Sequence, residues 1–246
     1  MDPLFDFTGK VVLVTGGSRG LGCQMVKAFA ERGADVIVAS RKLENCEAVA
    51  AECRALGRRA LAVAAHVGRW AECDALVERA YAEFGRVDIL INNAGMSPPC
   101  PSHEMPESLF DSVMNLNYKG PFRLASQIGY RMSQADGGCI INISSTGALM
   151  ALPGVVPYGG AKAALNAMTV SLSREYAPRV RVNTISAGPF LTDIAEAWDP
   201  ARRHKQPVAL GRPGQPEEIV TAALMLASPA SSYTTGALLR VDGGQR

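Results

Sequence analysis

Tyr158 and Lys162 are four residues apart in a stretch, 156–176, whose apolar spacing predicts a helix, so both project from one face. A phenol titrates near pH 10 and exchanges protons poorly at neutral pH until a nearby cation stabilises its phenolate. Lys162 is a candidate for that cation. Helices carry such pairs by chance, usually as solvated surface pairs, and it is the preceding strand that gives this one weight. The run 139–143 leads into Ser144 and Ser145, at the carboxyl edge of a sheet, where α/β folds bind ligands. A serine hydroxyl there can hydrogen-bond a carbonyl oxygen, and a positioned phenol can act as its general acid.

A second chemical feature is the turn Thr15-Gly16-Gly17-Ser18-Arg19-Gly20-Leu21-Gly22, between a β-branched run, 10–15, and a helical stretch, 21–32. Glycines permit positive φ and close backbone approach, and the positive end of the following helix favours an anion. A pyrophosphate fits such a turn, although a plain structural connection has the same glycines. The spacing is G-x-x-x-G-x-G, which is neither the GxGxxG fingerprint nor a P-loop. An acid about 20 positions after the glycines would bond the ribose of NAD, whereas an Arg accommodates the 2′-phosphate of NADP. Here the second strand, 35–39, ends in Ser40-Arg41-Lys42 with no carboxylate, and Arg19 lies in the turn itself. Two guanidiniums can fork a phosphate, which favours NADP(H). Otherwise Arg41 and Lys42 are solvated residues at a strand end.

The elements that position these residues alternate along the chain. Strand-like runs at 10–15, 35–39, 60–65, 87–91, 139–143, 180–185 and 237–241 are separated by helical stretches at 21–32, 43–56, 70–84, 107–134, 156–176 and 216–226. Strands apolar on both faces that alternate with long helices predict a parallel sheet covered on both sides. The fold class is therefore α/β, a doubly wound, Rossmann-type parallel sheet of about seven strands in a single domain, 1–246. An irregular segment, 190–215, departs from the alternation and is expected to be a substrate lid.

Composition narrows the partners. With 25 Lys plus Arg against 23 Asp plus Glu, the net charge of +2 is too small and too scattered for a phosphate-backbone binder, so nucleic acid is excluded. The sequence offers no apolar run long enough to span a bilayer, and its first ten residues have no leader pattern, so a cytoplasmic protein without membrane contact is expected. The 6 cysteines have no CxxC spacing and read as reduced, buried thiols. His66, His103 and His204 lack metal-ligand spacing, and no metal is expected.

Taken together, TGGSRGLG at 15–22, Asn92-Asn93-Ala94-Gly95, Tyr158-Gly-Gly-Ala-Lys162 and the tail at 236–244 resemble, in order and spacing, the short-chain dehydrogenase/reductase family. The resemblance runs over essentially the whole chain. It implies Ser145, thirteen residues before Tyr158, as the catalytic serine, and Asn117, five before Phe122, as the tetrad asparagine. By the same resemblance, Tyr158 would donate the proton and Ser145 would polarise the carbonyl. Lys162 would bind the nicotinamide ribose and lower the tyrosine pKa, and Asn117 would hold a water that links the lysine to solvent. The implied cofactor contacts are Gly16, Ser18, Arg19, Gly20, Leu21, Gly22, Ser40, Arg41, His66, Val67, Asn93, Ala94, Gly95, Tyr158, Lys162, Gly188 and Thr192.

Two departures from the family pattern stand out. His66-Val67 replaces an Asp-Val whose acid accepts from the adenine amino group, so altered adenine contacts are expected, with a neutral imidazole still able to accept. Ala187-Gly188-Pro189 replaces the usual Pro-Gly, which predicts a looser loop. The apolar residues Met96, Leu149, Met150, Leu152, Phe190, Ile194 and Trp198 are candidates to face substrate, or else ordinary core. An apolar ketone or 3-oxoacyl thioester would suit them, with Arg202, Arg203 and Lys205 near the lid to favour an acidic carrier or a CoA phosphate, or else a solvated face. The expected partner is thus a small-molecule carbonyl substrate. A binding protein that senses the nucleotide without redox chemistry is the alternative. In the family the two long helical stretches form a subunit contact, so a homo-oligomer, dimer or tetramer, is expected.

Overall fold

A computed structural model of the chain describes residues 2–193, 195 and 204–245. The β-branched runs form seven parallel strands: β1 (Val11–Thr15), β2 (Asp35–Ser40), β3 (Ala60–Ala64), β4 (Ile89–Asn92), β5 (Gly138–Ser145), β6 (Val180–Ala187) and β7 (Leu238–Val241). They lie in one sheet in the order β3-β2-β1-β4-β5-β6-β7. The strand order reverses direction between β1 and β4, and a doubly wound sheet opens its ligand crevice at that point.

Successive side chains point to opposite faces, and both faces are covered. Val12, Val14, Val36 and Val38 pack toward α1 (Gly20–Glu31), α2 (Leu43–Ala55) and, further along the sheet, α7 (Val220–Ala227). Val11, Leu13, Ile37 and Leu90 pack toward the opposite layer of α3 (Trp70–Phe84), α5 (Gly120–Ser133) and α6 (Val156–Glu175). Helix ends follow glycine: α3 stops at Gly85, which takes the left-handed conformation at φ 73 that a residue with a side chain would resist.

The helix expected over 107–134 is interrupted. It divides into α4 (Glu107–Met114), a π-helical turn (Asn115–Lys119) and α5. Pro121 explains the break: it has no N–H for the carbonyl four residues back, and Gly120 bonds instead to the Asn115 carbonyl, five residues back. Gly120 is itself required, because a Cβ there would come within 1.8 Å of the Val67 carbonyl oxygen.

β5 and β6 both run beyond the strands read from sequence, to Ser145 and Ala187, which are paired in register. The looser loop expected from Ala187 is not what the described residues form. Gly188 N–H donates to Val241 O at 2.9 Å, Leu191 N–H to Gly214 O at 2.9 Å and Gly214 N–H to Pro189 O at 2.9 Å. The helix read at 216–226 begins as a 3-10 turn (Pro216–Ile219), capped reciprocally by Gln215 and Glu218. No helix among the described residues is long and apolar enough to cross a membrane.

Below the carboxyl edge a row of polar side chains crosses the sheet. Asn92, Asn142 and Thr184 are neighbours in register on β4, β5 and β6. Asn92 Nδ2 donates to Asn142 Oδ1 at 2.9 Å, and Asn142 Nδ2 donates to Thr169 Oγ1 of α6 at 2.9 Å. Thr184 Oγ1 closes the set at 2.8 Å from Thr169 Oγ1. All four residues are buried, so these bonds fix α6 against β5 at one height.

Candidate active site

The glycine turn is built from backbone. Gly16 has φ 64 and Gly20 has φ 52, so both positions need the left-handed conformation. A Cβ on Gly22 would lie 2.3 Å from Gly16 O, which is why the third glycine lets α1 pack onto the turn. Thr15 and Asn93 tie the turn to the end of β4. Asn93 N–H and Ala94 N–H donate to Thr15 Oγ1 at 3.0 and 3.1 Å, while Asn93 Nδ2 donates to Thr15 O at 2.9 Å. No side chain caps the start of α1. The turn thus presents a helix N-terminus beside close-packed glycines, a cradle that suits a pyrophosphate.

The basic residues near this turn differ in their surroundings. Arg19 forms an ion pair with Asp193, and both side chains are exposed. Arg41 is exposed at the end of β2 and has no ion pair among the described residues. Thr192 closes over the turn from the β6 side, its Cγ2 3.3 Å from where a Gly20 Cβ would be. Ser18, Leu21 and Ser40 are partly exposed along the same edge.

The other half of the site is built from side chains. Ser145 ends β5, and its Oγ accepts Gly147 N–H at 3.1 Å, which fixes the rotamer. Tyr158 is in the first turn of α6, with the Ser145 hydroxyl near enough to its phenol to favour the phenolate. Lys162, one turn further on, is only 3% exposed, and its Nζ donates to Ile143 O at 2.7 Å. The same Nζ is 5.8 Å from the centre of the Tyr158 ring. Asn117 is buried in the π-helical turn, with Nδ2 donating to Met96 O at 2.9 Å and Val113 O at 3.0 Å. Gly95 is the meeting point: a Cβ there would be 2.8 Å from Asn117 Oδ1 and 3.6 Å from Lys162 Nζ.

Burial moves both titratable groups of this pair toward their neutral forms. It pushes the Lys162 ammonium down to about 8. It pushes the Tyr158 phenol up, against the opposing effect of the Ser145 hydroxyl. In this structure desolvation is the larger effect on Tyr158, and Ser145 is the group that opposes it. The expected role of Asn117 is also narrowed. Its amide N–H groups are taken by two carbonyls, and Oδ1, which already accepts Met96 N–H at 3.4 Å, has one lone pair left to accept.

The sequence-derived substrate residues divide. Met96 and Leu152 are partly buried beside the catalytic groups, Met96 through Asn117 and Leu152 against Gly147, and Met150 is partly buried with its N–H on Thr146 O. Phe190 is instead core. It is 6% exposed, and its ring lies 2.6 Å from where a Cβ of Gly214 would be, so it anchors the segment after β6. Ile194, Trp198, Arg202 and Arg203 lie outside the described residues. Gly188 is held tightly, since a Cβ there would come within 2.5 Å of Asp242 Cα.

His66 follows β3 at the same edge. Its Nδ1 accepts Gly68 N–H at 3.2 Å, and its backbone N–H donates to Glu72 Oε2 at 2.6 Å. A sequence reading misses this arrangement, as it misses the Arg19–Asp193 pair and the π-helical turn. Only the turn has a local signal, in Pro121. Among the described residues no cluster of three or more His, Cys, Asp or Glu is placed to hold a metal ion. The six cysteines are free thiols, and burial pushes Cys73 up to about 12.

Comparison with known proteins agrees with this architecture. The family model for short chain dehydrogenase matches residues 10–203. A 3-oxoacyl-(acyl-carrier-protein) reductase of Chlamydia trachomatis is 37% identical over 239 residues, 96% of each chain. The structure of a 7 alpha-hydroxysteroid dehydrogenase complexed with NADH and 7-oxo glycochenodeoxycholic acid superposes with a TM-score of 0.94 at 32% identity, covering 99% of this chain and 97% of that one. A blue fluorescent protein from a metagenomic library, in complex with NADPH, gives 0.91 at 35% identity, covering 97% and 98%. With the sheet order, the glycine turn and the Tyr158–Lys162 pair all in place, this chain belongs to the short-chain dehydrogenase/reductase family of oxidoreductases.

Proposed function

We propose that this chain is an NADP(H)-dependent oxidoreductase that interconverts a carbonyl compound and its secondary alcohol. The observation that carries the reading is the convergence of Asn117 and Lys162 on Gly95, with Tyr158 and Ser145 beside them and the glycine turn across the β1–β4 crevice. Gly16, Gly22 and Gly95, where a Cβ would collide with Asn93, Gly16 and Asn117, keep the backbone close-packed around a helix N-terminus that suits a dinucleotide. When bound, its nicotinamide supplies or accepts the hydride.

The protein's own groups do the rest. Tyr158, held protonated by burial, gives its proton to the carbonyl oxygen as hydride arrives at the carbon. Ser145 donates its hydroxyl hydrogen to that oxygen. Lys162 holds the ribose hydroxyls near Tyr158, and Asn117 Oδ1 accepts from a water that returns the proton. Around the phosphates, Gly16, Ser18, Gly20, Leu21 and Gly22 provide the turn, and Asn93, Ala94, Gly95, Gly188 and Thr192 line the nicotinamide side. Val67 and His66 bound the adenine side with Ser40. Arg19 and Arg41 contact the 2′-phosphate, each charge-assisted bond contributing about 1.5–3 kcal/mol. Met96, Met150 and Leu152 face an apolar ketone or 3-oxoacyl thioester.

Self-association belongs to the same reading. Phe110, Phe122, Tyr130 and Val170 are exposed on α4, α5 and α6, where a second copy would cover them. Light scattering at a dimer or tetramer mass supports this; a monomer excludes it.

The functional test mixes the protein with NADPH and a panel of apolar ketones and follows absorbance of the reduced nicotinamide. Turnover is expected. Tight NADPH binding without turnover of any carbonyl identifies a nucleotide-binding protein instead. For cofactor choice, wild type is expected to prefer NADPH, and Arg41→Ala to lose about tenfold in kcat/KM with NADPH alone. A wild-type preference for NADH defeats the 2′-phosphate assignment.

A further inference from the structure

His66 follows β3, the strand beyond β2 in the sheet, at the carboxyl edge. In a doubly wound sheet the adenosine ribose lies at the end of β2, here Ser40 and Arg41, and the base it carries extends toward the next strand. His66 is partly exposed there, and its ring chemistry is fixed by its surroundings. A backbone N–H can only donate, so the Gly68 N–H at 3.2 Å requires an unprotonated Nδ1. The single proton of the neutral ring is then on Nε2. Turning the ring over would put a carbon against the Gly68 N–H and leave that donor without its partner. A Gly68 Cβ would also lie 2.9 Å from His66 Cε1, so the ring is closely seated on this residue. The expectation that His66 accepts from the adenine amino group is thus reversed, since its accepting nitrogen is already used. Nε2–H has no partner among the described residues.

We propose that His66 makes the base subsite a hydrogen-bond donor and so sets which purine dinucleotides this chain binds. This rests on the dinucleotide reading above. A donor cannot bond the 6-amino group of adenine; it can bond adenine N1, and it can equally bond the 6-oxo group of hypoxanthine. Replacing the 6-amino group by a 6-oxo group should therefore cost little here. A carboxylate placed to accept from the amino group would face the oxo group of hypoxanthine instead, and would reach that base's N1–H only if the base shifted.

The test titrates the protein with NADH, NADPH and their reduced nicotinamide–hypoxanthine counterparts, reading nicotinamide fluorescence. Wild type is expected to bind each hypoxanthine form within about threefold of its adenine partner. His66→Asp is expected to favour adenine by tenfold or more, a free-energy difference of about 1.4 kcal/mol. His66→Gln, which can still donate, is expected to keep the wild-type ratio. Tenfold preference for adenine in wild type overturns the proposal, as does an unchanged ratio in a folded His66→Asp. If wild type binds none of the four dinucleotides, the dinucleotide reading fails and the proposal with it. If His66→Asp does not fold, a tenfold wild-type preference for adenine still overturns the proposal.

Discussion

The two halves of the crevice solve their tasks with different material. On the β1 side, the turn at residues 15–22 offers mainly backbone, and its precision comes from the absence of side chains at Gly16, Gly20 and Gly22. On the β5 side, α6 and the π-helical turn offer Tyr158, Lys162 and Asn117, and precision comes from burial and hydrogen bonds that few other residue types could make. The first half tolerates no added atom. The second tolerates no change in polarity at Lys162 and Asn117, which are held out of water with their few partners chosen.

The largest separation between the halves is expected from Tyr158→Phe. Removing one hydroxyl leaves the glycine turn untouched, so NADPH should bind within about twofold of wild type, while turnover falls by roughly 10²–10⁴. Fluorescence titration and steady-state kinetics on the same preparation measure both. Wild-type turnover in the variant would remove Tyr158 from the chemistry and dissolve the contrast.

Gly22→Ala probes the other side. The new Cβ would meet Gly16 O at 2.3 Å and Asn93 Nδ2 at 2.5 Å, both part of the stitched turn. Overpacking of this kind costs about 1–3 kcal/mol. Dinucleotide affinity should fall more than tenfold as the turn shifts. Gly160→Ala is the control on α6, where a Cβ meets nothing within 4 Å. It should gain about 0.5–1 kcal/mol from a stiffer unfolded chain and better helix propensity. Equal losses at both glycines, read by denaturant unfolding, would mean that helix glycine, not the turn, governs the first effect.

Lys162→Met exposes the cost of polarity in the second half. The lysine is held near 8 when folded against an ordinary 10.5, so between these values the unfolded chain binds more protons. Stability must then rise with pH through that window, and below it the buried ammonium is a standing penalty of about 3 kcal/mol. The bond to Ile143 O returns about 1 kcal/mol of this. The methionine variant should therefore be more stable than wild type by about 2 kcal/mol at pH 7, and the gain should be lost before pH 10.5, where the Ile143 bond leaves wild type the more stable. Tyr158 also titrates at high pH, but it is present in both proteins and cancels. A variant less stable than wild type at pH 7 would show that the Ile143 bond outweighs desolvation.

What the sequence made legible follows from the range over which each signal acts. Local spacing was enough for β1, for α3 at Trp70–Phe84 and for the Tyr158–Lys162 face, because propensity, glycine stops and periodicity act within a few residues. The fold class followed from repeating that pattern. Asn117 and Gly95, and the choice of Ser145 over Ser144, were legible only through resemblance, since these residues are brought together from separate elements. The π-helical turn had its signal in Pro121, a proline inside an apolar-periodic run, and reading through it joined α4 to α5. Phe190 was ambiguous because a core phenylalanine and a pocket phenylalanine have the same neighbours in sequence; Gly214 decides the matter. Desolvation of Lys162 has no sequence signature, as it depends on the packing of α6 on β5.

The smallest expected effect lies where the halves face each other. Arg19 belongs to the glycine turn and Asp193 to the segment after β6, and their ion pair joins the two across the crevice. Both side chains are about half exposed or more, so the pair contributes no more than about 1 kcal/mol and weakens with salt. Yet it places an anion on the arginine assigned to the 2′-phosphate, so the carboxylate and the phosphate compete for one guanidinium. Asp193→Asn should leave stability within about 0.5 kcal/mol of wild type and tighten NADPH binding two- to fivefold. NADH binding should not change, because it brings no phosphate to that site. The gain should shrink in high salt, as screening weakens both the competitor and the ligand's own attraction. Equal tightening of NADH and NADPH would mean that Asp193 opposes the pyrophosphate rather than the 2′-phosphate, moving Arg19 from cofactor choice to cofactor binding in general.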